Sequence, residues 1–191
     1  MSQTKILGEY AFRKTEMIAG FNFTAAGTFQ FFFSYGAVDR SAAGTCTVEG
    51  NTIKLTSNKE AGKDFTVTAQ SKDATGYTIN FTHANKYLLQ NIYCVFFVNG
   101  EKQEAVTDNK GEIHVDLAHC DSIYAKHLLF PDIVTQVKDA GNENNRFTLA
   151  LNPSLEQLSF KGIDLTIEND GSLSWLPNYF LEMSGVKFIK Q

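Results

Sequence analysis

Proline is scarce in this chain, with three residues in 191, which excludes a collagen-like or linker-rich architecture. Positive charge is never concentrated. No more than two Lys or Arg stand side by side and the formal net charge is −4, so the basic stripe that neutralises phosphates is missing. Nucleic acid and an anionic membrane surface are therefore excluded as expected partners. No apolar run approaches the roughly 20 residues of a membrane-spanning helix. The three cysteines, Cys46, Cys94 and Cys120, form no Cys-x-x-Cys pair, and their odd number leaves at least one thiol free. They read as small buried hydrophobes in a reducing compartment. The opening MSQTKILGEY has no apolar core of the signal-peptide kind, so the expected location as written is cytoplasmic, or periplasmic or secreted if the N-terminus was trimmed. There is no Gly-x-Ser-x-Gly elbow, no phosphate-cradling glycine loop and no Cys/His pair in a known motif. No cofactor is expected.

What is abundant is aromatic: 16 Phe and 7 Tyr, which favour strands. Residues 21–57 read as an unbroken antiparallel meander, with turn signals at Ala26-Gly27, Ala43-Gly44 and Glu49-Gly50-Asn51. In Thr28–Ser34, Phe29, Phe31 and Phe33 share one face and must be buried. Gln30, Phe32 and Ser34 share the other, with Phe32 a candidate for an interface. Thr15–Gly20 reads as a short helical turn or a connection. Strands follow at Asp64–Ala69 and Tyr77–Thr82 with a turn at Lys72–Gly76, and His83–Gln90 is helix-compatible. Asn91–Val98 reads as a strand buried on both sides, and Asn99-Gly100 as a hairpin turn. About fourteen strands at roughly eight-to-twelve-residue spacing predict an all-β protein with few or no helices.

Two segments resemble known families. Gly8 and Tyr10, then FNFTAAGTFQF and GTCTVEGNTIKLTS, resemble the opening of a lipocalin-like, or calycin-like, β-barrel over residues 8–82. Residues 91–138, with Val98-Asn99-Gly100, Thr107-Asp108, Gly111 and Asp121-Ser122-Ile123, resemble a prealbumin-like domain of the carboxypeptidase regulatory type, although Glu104-Ala105-Val106 replaces the usual Gly-Ala-x-Val step. The first resemblance implies an antiparallel meander barrel that can hold a ligand. The second implies an additional, non-catalytic β-sandwich-like region. The expected organisation is a lipocalin-like meander at 1–86, a sandwich region at 91–140 that could be an insertion, and C-terminal strands at 141–191 completing one of the two.

The segment Tyr35–Arg40 reads as a loop rich in functional groups. Asp39 and Arg40 could recognise a polar ligand and Tyr35 could stack on it, against the simpler reading of a long hairpin loop whose Arg packs on aromatic surface. Phe31, Phe33, Phe65 and Ile53 are possible barrel-lining residues. His114, His119, Cys120 and His127 fall close together, but their spacing matches no metal motif, and turn or solvent-side histidines are the plainer reading. Trp175–Phe180 could plug the barrel end or mark a partner surface.

These observations lead to a non-catalytic protein whose barrel binds a small apolar or amphipathic ligand through Phe31, Phe33, Tyr35, Asp39 and Arg40. The alternative is a structural or protein–protein interaction module with a packed barrel core. Were the chain an enzyme, ester hydrolysis would be the first reaction to assay.

Overall fold

The computed structural model describes residues 6–73 and 75–191; Ala74, within the turn expected at 72–76, and residues 1–5 lie outside it. In chain order the strands are β1 Gly8–Lys14, β2 Met17–Phe23, β3 Thr28–Tyr35, β4 Val38–Glu49, β5 Thr52–Ser57, β6 Phe65–Ser71 and β7 Tyr77–Thr82. There follow β8 Ile92–Val98, β9 Glu101–Val106, β10 Glu112–Val115, β11 Ser122–His127 and β12 Thr135–Lys138. The last four are β13 Arg146–Leu151, β14 Asp164–Ile167, β15 Leu173–Ser174 and β16 Lys187–Lys190. The helix-compatible segment contributes one 3-10 turn, Lys86–Leu89, capped by the Asn85 side chain on the Tyr87 N–H. No described helix is long and apolar enough to cross a membrane.

Strands β1–β5 and β14–β16 close into an eight-stranded barrel in which every neighbouring pair is antiparallel. Ring order follows chain order, so this is an up-and-down barrel with one long excursion between β5 and β14. Inward positions are apolar: Phe21 and Phe23 on β2, Phe29, Phe31 and Phe33 on β3, Ile53 and Leu55 on β5, and Phe188 on β16 are all buried. Outward positions include Glu9, Arg13, Asn22 and Gln30, all exposed. A polar outside around an apolar inside is the inverse of a lipid-embedded barrel.

The chain divides into two compact units, Met1–Ala61 with Glu156–Gln191, and Gly62–Leu155. The first boundary falls well before residue 86. Strands β6 and β7 alternate like barrel strands but pair with β13 and β10 in a four-stranded sheet, order β10-β7-β13-β6. The second sheet of that unit has the order β12-β11-β8-β9. Tyr77 and Phe96, with ring centroids 6.2 Å apart, join the two sheets into a sandwich. Of the C-terminal strands, β13 stays in the sandwich unit while β14–β16 complete the barrel.

Each unit holds the two ends of the excursion side by side. In the barrel unit, the Ser57 hydroxyl donates to the Ser159 carbonyl and the Lys59 ammonium donates to the Gln157 carbonyl at 2.7 Å. In the sandwich unit, Phe65 pairs with Leu151, and the Asn152 N–H donates to the Asp64 carbonyl at 2.9 Å. Adjacent ends are the geometry that lets one domain be inserted into another.

Two local expectations change. Thr15–Gly20 is neither helix nor long connection: Thr15 and Glu16 make a tight turn, with Glu16 at φ 61°, and β2 begins at Met17. Ala43-Gly44 is not a turn either. Gly44 sits inside the twelve-residue β4, where a Cβ would stand 2.0 Å from the Thr56 carbonyl oxygen, so its small size serves close strand approach.

Candidate functional site

The residues of the expected loop site lie in a hairpin. Strands β3 and β4 are joined by only Gly36 and Ala37, because Gly36 supplies the positive φ (+58°) that a two-residue turn needs. Asp39 and Arg40 therefore belong to β4, and strand alternation sends them to opposite faces. Tyr35 and Asp39 are exposed, whereas Arg40 is only 3% exposed. Its Nε donates to the Glu156 carbonyl at 3.1 Å and its Nη2 to the Gln157 carbonyl at 3.0 Å, with the guanidinium 5.7 Å from the Phe180 ring centre. Arg40 thus pins the returning chain to β4, beside the parallel bridge Ser41–Gln157 and the Leu158 N–H to Ser41 carbonyl bond of 2.8 Å.

Phe31 and Phe33 face inward as expected, into a barrel that is already full. Phe21 lies 4.7 Å from Phe31 and 5.1 Å from Phe188, Phe31 lies 5.0 Å from Phe160, and Trp175 lies 5.1 Å from Phe188 (centroid distances). Phe180 packs against Phe33 at 4.8 Å and Trp175 is buried in the same core, while Leu176 between them is exposed. Ile53 joins this core. Phe65 does not, since it stacks edge-on with Phe81 in the sandwich unit at 5.2 Å. The Trp175 indole N–H is buried without a hydrogen-bond partner among the described residues.

The histidine group disperses. His114 on β10 meets the Thr78 hydroxyl (3.1 Å) and Glu112 (3.6 Å), while His119 pairs with Asp121 at 2.9 Å. Cys120 is buried, its Sγ on the Phe97 and Ser122 carbonyls. His127 is fully buried, Nε2 against the Leu88 carbonyl and Nδ1 accepting from the Leu129 N–H. Among the described residues, no three His, Cys, Asp or Glu side chains form a group that could hold a metal ion.

A different site stands out on the outer wall of β1–β4, a groove of about 860 Å³. Antiparallel register builds it in rows, since residues directly opposite one another share a face. One row is Ala11, Gly20, Phe32 and Ser41. The next is Glu9, Asn22, Gln30 and Ala43. Phe32 is 48% exposed, and its ring lies over Gly20, where any Cβ would stand 2.5 Å from the ring edge. The missing side chain of Gly20 leaves room for the edge of the ring. Asn58, Gln157 and Gln191 join the lining from three other segments, Glu9 and Arg13 are its charged groups, and the buried row Tyr10, Phe21, Phe31 and Ala42 between the two outer rows also borders it. The lining has five amide residues, two hydroxyl-bearing residues in Ser41 and Tyr10 and, among the described residues, no His or Cys, a set suited to binding and orienting a polar ligand.

The sequence reading singled out Phe32 but not Asn22, Gln30, Asn58, Gln157 or Gln191. The available signal was the mixed outer face of β3, Gln30-Phe32-Ser34. Comparison with protein-family models, with curated proteins and with solved structures gives no match for this chain.

Proposed function

We propose that this protein is a non-catalytic binding module in which a lipocalin-like barrel is a solid scaffold and the outer groove of β1–β4 is the contact surface. The observation that carries this reading is the contrast between the two sides of one wall. Inside, Phe21, Phe31, Phe160, Trp175 and Phe188 touch one another, and an interior ligand would have to displace them from a close-packed core. Outside, a groove of about 860 Å³ combines an exposed ring with hydrogen-bonding amides, the mixture that ligand sites of about 300–1,000 Å³ use. A second reading, an interior polar ligand, is favoured by the unpartnered Trp175 indole N–H, which a ligand acceptor would satisfy.

A thermal-shift screen of saccharides, short peptides, nucleotides and fatty acids separates the two. The groove reading predicts ligands that raise the melting temperature of the wild type but not of Asn22→Ala/Gln30→Ala. Ligands that stabilise both proteins equally and quench Trp175 fluorescence would overturn it in favour of the interior.

A further inference from the structure

We propose that the β1–β4 groove takes a neutral saccharide, with Phe32 as its stacking platform and the surrounding amides as its hydrogen-bonding rim. This inference rests on the groove being the binding surface and names the class of ligand.

The first argument is polarity. A sugar hydroxyl both donates and accepts, and the side chain that offers a carbonyl oxygen and an NH₂ together is an amide. Asn22, Gln30, Asn58 and Gln157 line the groove from four segments, all exposed, and among the described residues none has a side-chain hydrogen-bond partner. Their backbones are nevertheless fixed. Asn22 and Gln30 are a directly opposed strand pair, the Asn58 N–H donates to the Ala43 carbonyl at 2.8 Å, and the Gln157 carbonyl is held by Arg40 and Lys59. Fixed backbones lower the ordering cost of binding, which is then confined to the amide side chains.

The second argument is the floor. Phe32 packs its ring edge over Gly20 and is half exposed in the groove, with Ala11 and Ala43 also in the lining, which offers aromatic surface to the C–H face of a pyranose. The third is charge. Glu9 and Arg13, one of each sign, are the charged side chains of the lining, which gives no net attraction for an anionic or cationic ligand. A peptide bound by strand addition is disfavoured here, because the groove is floored by β1–β3, each paired on both sides, and so offers no free backbone edge.

The test is an array of neutral, sialylated and sulfated oligosaccharides, followed by calorimetric titration of the best neutral glycan into the purified full chain. The expected result is binding to neutral glycans that persists in high salt, since a neutral ligand has no charge to screen. Phe32→Ala should weaken it at least about tenfold, and Asn22→Ala/Gln30→Ala should do the same. The amide variant removes no side-chain hydrogen bond among the described residues and should keep the wild-type melting temperature, so it tests the proposal even if Phe32→Ala fails to fold. Three results would overturn it: no neutral glycan bound, binding only to charged glycans, or binding unchanged in both variants. A peptide or other non-saccharide that binds and is lost in Asn22→Ala/Gln30→Ala would sink the saccharide assignment while leaving the groove reading standing. Ligands indifferent to both variants would sink both.

Discussion

Arg40 shows how a residue's role follows from its burial. In sequence it adjoins Asp39 and reads as half of a ligand-recognising pair. In the fold its guanidinium is buried and donates to the Glu156 and Gln157 carbonyls. Arg40→Ala would leave the Glu156 carbonyl without its guanidinium donor and the Gln157 carbonyl with Lys59 alone, and is expected to cost about 1.5–3 kcal/mol, read as a lower denaturation midpoint. Arg40→Lys should recover only part of it, because an ammonium cannot reproduce the fork that spans two carbonyls. Neighbouring residues on β3 make the complementary contrast. Phe31→Ala should cost about 3–5 kcal/mol, because it opens a cavity among packed rings. Phe32→Ala, which removes a half-exposed ring from the outer wall, should cost far less, and chemical denaturation of the two variants side by side checks this. That contrast was legible from alternation alone. The amide rim was not, because its members meet only through strand register and the returning chain.

At the scale of the element, hairpins were the readable unit, since their chemistry is local. Asn99 and Gly100, both at positive φ, turn β8 into β9 as the dipeptide predicts. Carboxylates hold this turn and the one at residues 108–111. Asp108 accepts from the backbone N–H groups of Glu112 and Lys110, and Asp121 accepts from the Asn99 N–H and His119, which holds both carboxyl groups below their ordinary range. A depressed folded-state pKa contributes stability that is present above the unfolded value of about 3.9 and lost as pH falls through the folded value. The stability gap between wild type and Asp108→Asn/Asp121→Asn should therefore be widest at neutral pH and shrink from about pH 4 downwards, measured by denaturant unfolding across pH. A constant gap would assign the turns' stability to hydrogen bonding without charge. What strand pattern could not supply was partnership. Phe65, Val67, Tyr77, Ile79 and Phe81 alternate as barrel strands do, yet β6 and β7 pair with β13 and β10. The information that assigns them lies far along the chain.

At the scale of the whole molecule, the eight-stranded barrel carries an eight-stranded sandwich unit between its fifth and sixth ring strands. An all-β fold was readable from strand spacing, and a barrel with an additional β-sheet region was what the two resemblances implied. The excursion's true ends were not, because Ala61–Gly62 and Leu155–Glu156 carry no change in composition. Since Ser57 and Lys59 already tie the leaving chain to Gln157 and Ser159, replacing residues 62–155 with a flexible linker of about four residues should leave a cooperatively folding barrel. Circular dichroism with a single sharp melt is the expected outcome, and a broad transition would show that the barrel depends on its insert.

The central claim is that the barrel binds with its outer wall and not with its interior, and one ¹⁵N–¹H correlation spectrum reads both. The chain has a single tryptophan, so the indole N–H of Trp175 gives one interior signal, while the side-chain amides of Asn22, Gln30, Asn58 and Gln157 report the groove. On titration with the best neutral glycan from the array, the account predicts that the groove amides shift in a saturable way and the indole signal stays in place. A shift of the Trp175 signal with the amides unmoved would contradict it.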